Sequence, residues 1–198
     1  MKQDLLSSLR AAVVSLVAFS VLTGIVYPLL VLGIAQAAFP HQANGSLIVD
    51  HGAVAGSELI GQDITHPGYF WSRPSALGPF PYNAMSSTGT NLGEANPALR
   101  EAISARIRAI QAADPGNTAP VPADLVTSSA SGLDPHISPE AAAYQAARVA
   151  RVRGVSLDAV RAIIAAHVED RTFGVLGEPR VNVVMLDRAL DARFGVPR

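Results

Sequence analysis

Three groupings of polar residues in this sequence invite a chemical reading. The tightest is Ser131-Gly132-Leu133-Asp134-Pro135-His136, which puts a hydroxyl, a carboxylate and an imidazole within one short stretch. A serine hydrolase uses those types, but its triad members come from separate elements, and the chain has no G-x-S-x-G elbow. Asp134-Pro135-His136 reads better as a structured turn ahead of a helix capped by Ser138. The second grouping is the histidines, at 41, 51, 66, 136 and 167. None has the H-x-x-x-H or H-E-x-x-H spacing that lets one helix face offer two ligands to a metal. His167 falls on an apolar helical stripe and reads as a core residue. The third is Ala150-x-x-x-Gly154-Val155-Ser156-x-x-x-Val160 with Arg148, Arg151, Arg153 and Arg161 around it. It has the outline of a DNA-reading helix-turn-helix, and equally that of any tight corner between two helices.

Composition closes further routes. The chain holds 14 arginines but one lysine, Lys2. That excludes a phosphate-cradling G-x-x-x-x-G-K-[S/T] loop, a Schiff-base enzyme and a lysine-dependent kinase fold. With no cysteine there is no disulfide, thiolate zinc site or cysteine nucleophile. From residue 40 onward, 13 arginines face 15 acidic residues, a net charge of −2. Such a domain offers no basic field to a nucleic acid. No residue is assigned a catalytic or metal-ligating role.

The elements that position these residues fall into an α+β arrangement behind one membrane helix. Residues 11–40 contain 22 hydrophobic residues and no Asp, Glu, Lys or Arg. Residues 11–39, about 43 Å long as a helix, exceed the hydrocarbon core of about 30 Å. Ala35-Gln36-Ala37 imitates a signal-peptidase site, but the apolar run is about twice a signal h-region, so a retained anchor is expected. Lys2 and Arg10 precede the run and no Lys or Arg follows until Arg73. The positive-inside rule then leaves residues 1–10 in the cytoplasm and places 40–198 outside as one extracytoplasmic domain, periplasmic where a periplasm exists. Pro28, in mid-span, predicts a kink and hints at partner helices that cover the freed carbonyl.

In the outer domain, 46–49 and 54–60 predict a hairpin about the turn Asp50-His51-Gly52. Tyr69-Phe70-Trp71 and 125–129 have strand character. Residues 72–96, rich in Gly and Pro, form a long loop that Leu77, Phe80 and Tyr82 are expected to pack. Four helices follow. Asn96-Pro97 opens the first, Ser138-Pro139 the second with Gly154 as its stop, Ser156 the third and Asn182 the last. Phe173-Gly174-Val175-Leu176, bracketed by charge pairs, reads as a closely packed turn between helices, with partner contact as the functional alternative.

Several segments together resemble one family. They are Tyr27-Pro28-Leu29, Phe39-Pro40-x-Gln42-Ala43-Asn44-Gly45-Ser46, Gly56-Ser57 with Ile60-Gly61-Gln62, and Tyr69-Phe70-Trp71-x-Arg73-Pro74-Ser75-Ala76. Gly89-x-Asn91-Leu92-Gly93 with Asn96-Pro97, residues 131–139, and Gly177-Glu178-Pro179-Arg180-Val181-Asn182-Val183 continue the pattern. In order and over nearly the whole chain, this is similar to the C subunit of the bacterial potassium-transporting Kdp P-type ATPase. The resemblance implies a non-catalytic accessory subunit in the plasma (inner) membrane. Its partners would be a potassium-channel-like subunit, an ATPase subunit and a small single-span subunit, together with membrane lipid and no nucleic acid. It would support assembly and act as a catalytic chaperone that raises the ATP affinity of the ATPase subunit, with ATP met only within that complex. The family-motif residues, structural or partner-contacting, are Pro28, Asn44, Gly45, Trp71, Arg73, Pro74, Gly89, Asn91, Gly93, Asn96, Ser131, Gly132, Asp134, Pro135, His136 and Asn182. The chain has no D-K-T-G phosphorylation motif, so it is not the motor. The competing class is a stand-alone, membrane-anchored periplasmic binding or hydrolase domain.

Overall fold

A computed structural model describes residues 2–50 and 52–197; His51 of the predicted turn lies outside the described residues. The chain divides into two compact units, 1–55 and 56–198.

The first unit is dominated by one apolar helical run, Leu5–Ala38, of 34 residues and mean hydropathy 2.2. It is long and apolar enough to cross a membrane. Helix α1 (Lys2–Val21) passes through a π-helical turn (Leu22–Val26) into α2 (Tyr27–Ala38). The sequence places a kink at Pro28, but α2 runs through that residue and the irregular turn comes just before it. Proline has no N–H for the carbonyl four residues back and its ring crowds that carbonyl. The widened turn, closed by the Tyr27 N–H on the Leu22 carbonyl, loosens the backbone at that point.

A short helix α3 (Pro40–Ala43) and a two-stranded hairpin, β1 (Leu47–Asp50) and β2 (Ala53–Ser57), follow. The second arm thus ends at Ser57 instead of Ile60. Asn44 and Gln36 exchange side-chain amide hydrogen bonds of 3.1 and 3.2 Å, and Asn44 Nδ2 also donates to the Pro40 carbonyl at 2.7 Å. Those bonds clasp α3 back against the end of α2. Gly45, at φ +85°, supplies the left-handed turn that releases the chain toward β1.

In the second unit, four helices of ten residues or more surround a small sheet: α4 (Pro97–Ala113), α5 (Pro139–Arg153), α6 (Leu157–Ala166) and α7 (Val183–Phe194). Every predicted start is occupied by its cap. The side chains of Asn96, Ser138, Ser156 and Asn182 accept from the N–H groups of Ala98, Ala141, Ala159 and Met185. The sheet was not legible in the sequence. It joins β3 (His136–Ile137), β5 (Arg180–Asn182) and β4 (Val168–Glu169) in antiparallel order β3-β5-β4, with Ile137 opposite Val181 and Val168 opposite Val181. The core lies where the sheet meets α5, α6 and α7, and Phe70, Val149, Val160, Val181, Leu186 and Leu190 are fully buried in it.

Two predicted strands are absent. Residues 125–129 begin in a 3-10 turn (Ala123–Leu125) and continue irregularly. The Tyr69–Trp71 triplet begins in a bend, where the Tyr69 N–H donates to the His66 carbonyl at 3.1 Å, and runs on irregularly without pairing to a strand.

Candidate functional site

Most family-motif residues of the second unit gather at two places. The first is a knot where the 60s and the 73–89 loop meet residues 128–136. The Gly61 N–H donates to the Leu133 carbonyl at 2.9 Å, and the Thr88 N–H to the Ser131 carbonyl at 3.0 Å. Ser75 Oγ donates to the Gly132 carbonyl at 2.7 Å and accepts from the Tyr82 N–H at 3.2 Å. The Tyr82 hydroxyl donates to the Arg73 carbonyl; burial pushes that phenol up to about 12. Gly132 sits at φ +70°, and a Cβ there would stand 2.9 Å from both Leu77 Cγ and the Thr88 carbonyl oxygen. At Gly89 a Cβ would come within 3.2 Å of the Ala130 backbone. These two glycines let the loops close on each other. Leu77 and Tyr82 do pack the long loop, whereas Phe80 is exposed.

Asp134 governs the knot's charge. Its Oδ1 accepts from the His136 N–H at 3.0 Å and lies 3.3 Å from His136 Nδ1; its Oδ2 pairs with Arg73 Nη1 at 3.3 Å. Burial pushes the carboxyl up, but the hydrogen bonds from His136 and the charges of His136 and Arg73 outweigh it and hold it below the usual range. The expected structured turn is thus an Asx turn clamped by an arginine. Ser131 Oγ takes no part in an Asp–His relay: it accepts from the Leu133 N–H at 3.1 Å and lies 3.4 Å from Ser129 Oγ. The Pro135 carbonyl receives the Val183 N–H at 2.9 Å, and Asn182 Nδ2 reaches the Glu58 carbonyl at 2.7 Å. Asn182 therefore both caps α7 and ties down the chain before the knot.

The second place is built on α5 and includes residues the motif reading missed. Residues 67–71 lie against α5 and α7 with their backbone groups met by side chains. The Phe70 N–H donates to Asp187 Oδ1 at 2.9 Å, and the Trp71 N–H to Gln145 Oε1 at 2.8 Å. Gln145 Nε2 returns a 3.1 Å bond to the Trp71 carbonyl. Arg148 donates to the Pro67 carbonyl and, at 3.0 Å, to that of Tyr69; Arg153 Nε donates to the Gly68 carbonyl at 2.7 Å. Buried backbone groups need partners; side chains supply them here, so no strand forms. The signal in the sequence was Gln145 and Arg148 standing on the buried Ala141, Ala142, Ala146 and Val149 face of α5. Arg148 also caps the Trp71 ring at 4.4 Å, and Arg153 the Tyr69 ring at 4.8 Å. Two of the four arginines of the helix-turn-helix outline thus point inward, and Gly154, at φ +67°, is the C-cap of a tight helical corner.

Asn91, at φ +53°, and Gly93 lead separately into the Asn96 cap, where the Gly93 carbonyl accepts from the Asn96 N–H at 2.9 Å. Pro28, Asn44 and Gly45 belong to the other unit. Among the described residues no group of three or more His, Asp or Glu could hold a metal ion. Contrary to expectation, the Phe173–Leu176 turn does not pack. Phe173 is 89% exposed and Val175 71%, because a Thr172–Leu176 bridge and the Arg171–Glu178 and Arg180–Glu169 ion pairs close its neck and leave the apolar residues projecting.

The family described as K+-transporting ATPase, c chain (KdpC), matches residues 9–192. The chain belongs to the KdpC family. The potassium-transporting ATPase KdpC subunit of Polaromonas naphthalenivorans (strain CJ2) is 60% identical over 184 residues, covering 93% of this chain and 94% of its own. The namesake subunit of Methylococcus capsulatus (strain Bath) is 57% identical over 188 residues, with 95% and 99% covered. That of Herpetosiphon aurantiacus is 58% identical over 182 residues, with 92% and 94% covered. The chain is thus a subunit of a potassium-transporting ATPase, and the family match takes in most of the apolar helix and most of the region beyond it.

Proposed function

We propose that this chain is a non-catalytic accessory subunit, held in the plasma membrane by residues 11–39 with residues 1–10 in the cytoplasm and 40–198 outside. There it would join a channel-like subunit, an ATPase subunit and a small single-span subunit, support their assembly and raise the ATP affinity of the ATPase subunit. The observation that carries this reading is the family match over residues 9–192, span and domain together. Consistent with it, the polar residues at the knot are engaged in holding loops (Asp134 on Arg73 and His136, Ser131 on its own turn). An outer domain does not meet cytosolic ATP, so its influence on ATP affinity passes through the membrane helix or the assembly. The projecting Phe173–Leu176 tip, apolar on a neck closed by a bridge and ion pairs, suits contact with a partner subunit.

Two measurements test this. The complex purified with the chain should show a lower apparent KM for ATP than the complex lacking it; an unchanged KM sinks the chaperone role. Because the chain has no cysteine, Met85→Cys, at a position 94% exposed, makes a single label site. A membrane-impermeant maleimide should modify it from outside intact spheroplasts, and labelling only after lysis would reverse the topology.

A further inference from the structure

A cleft of about 550 Å³ opens in the second unit between α4, α5 and the 62–82 segment. That is within the range of small-ligand sites. Much of its wall is apolar or aromatic, including Trp71, Tyr82, Ile110 and Leu125. Three guanidinium groups line it as well, those of Arg73, Arg106 and Arg148. Arg73 is paired with Asp134. The other two have no carboxylate within ion-pair distance among the described residues. Arg106 donates to the Val126 carbonyl, and Arg148 to two carbonyls and the Gln145 amide oxygen. Of the two acids on the wall, Asp114 is taken by Arg151 at 2.9 Å, and Asp63 is exposed. Two further lining groups, Arg73 Nε and the Tyr144 hydroxyl, are buried without any hydrogen-bond partner.

Arg148 is buried and Arg106 half-buried; positive charge withdrawn from water with no ion-pair partner is costly, and so is an orphaned donor. Both kinds of deficit occur on the wall of one cleft, and one kind of ligand corrects both: an acceptor bearing negative charge. The apolar remainder of the wall calls for an apolar body behind it. Two unpaired arginines against one unpaired aspartate leave room for a single negative charge, which favours a carboxylate over a doubly charged phosphate. We propose that this cleft is a binding site for a small organic carboxylate with an aromatic or aliphatic body, its carboxylate seated at Arg106 and Tyr144 and its body against Trp71.

Trp71 is the chain's single tryptophan, so its emission reports on the cleft directly. The full chain in zwitterionic detergent is titrated with 4-nitrobenzoate, a carboxylate whose ring quenches tryptophan. Its neutral isostere 4-nitrobenzamide and its dianionic counterpart 4-nitrophenyl phosphate are titrated in parallel. Quenching should saturate with the carboxylate, rise only linearly with the amide, and saturate at higher concentration with the phosphate. Arg106→Gln should weaken the carboxylate at least about fivefold, as loss of a charge-assisted bond does. Tyr144→Phe, which leaves the packing in place, should weaken it about threefold, and it decides the matter if Arg106→Gln fails to fold. Linear quenching by all three compounds, equal saturation by carboxylate and amide, tighter binding of the phosphate, or a folded Arg106→Gln that binds as before would each overturn the assignment.

Discussion

Gly132→Ala measures how closely the two loops of the knot are locked. Two costs arise at this position. The residue sits at φ +70°, where an L side chain pays about 1–2 kcal/mol. The new Cβ also meets the Thr88 carbonyl oxygen and Leu77 Cγ at 2.9 Å. That carbonyl belongs to Thr88, whose own N–H donates to the Ser131 carbonyl, so relief requires the loops to part, an overpacking cost of about 1–3 kcal/mol. The sum, about 2–5 kcal/mol, lowers the melting temperature of a chain this size by about 10 °C. Gly154→Ala is the internal control. It has a similar φ, +67°, but a Cβ there meets nothing within 4 Å. It should cost only the backbone part, about 1–2 kcal/mol, or about 4 °C. Melts of the full chain in detergent, followed by circular dichroism, read both values. Equal shifts for the two variants, or a Gly132→Ala shift under about 2 °C, would refute the idea that the loops are locked at this contact.

Gln145→Ala leaves the Trp71 N–H and carbonyl without their partner, so a loss of about 2–4 kcal/mol and a red shift of Trp71 emission are expected; unchanged emission would contradict it. Burial pushes the Asp187 carboxyl up from 3.8 to about 8, against the opposing Phe70 N–H and Arg153. An acid raised in the fold keeps its proton in the folded state while the unfolded chain loses it. Its contribution to stability is therefore full below about pH 4 and declines as pH rises toward 8. Asp187→Asn should flatten the melting-temperature profile between about pH 5 and 9, and a profile as steep as before would count against it. Phe173→Ser, at an 89% exposed position, should change stability by no more than about 0.5 kcal/mol yet reduce recovery of the assembled complex; unaltered recovery would remove the tip from the contact surface.

What could be read from the residues in order was local. Caps, stops and the apolar span are written within a few neighbouring positions, so the starts of α4, α5, α6 and α7 and the run through Leu5–Ala38 were legible. The three-stranded sheet was not, because strands of two or three residues show no alternation. The Tyr69–Trp71 triplet misled for the opposite reason. Its β-branch-free aromatic run does favour an extended backbone, but its hydrogen bonds go to Gln145, Arg148 and Asp187, at least 74 positions away. Around Pro28 the sequence located the disturbance but not its form, since a π turn in place of a sharp bend depends on the preceding Leu22–Val26 turn. The motif residues near 73 and 131–136 could be named, but that they meet in one knot with the half-buried Tyr82 could be seen only in three dimensions.

If the chain works as part of a larger transporter, affinity purification of a tagged full-length chain from gently solubilised membranes recovers that transporter. Larger membrane subunits should accompany it in fixed proportion, and the eluate should hydrolyse ATP in response to potassium. Recovery of the chain alone, with ATP hydrolysis remaining in the unbound fraction at undiminished ATP affinity, would contradict it.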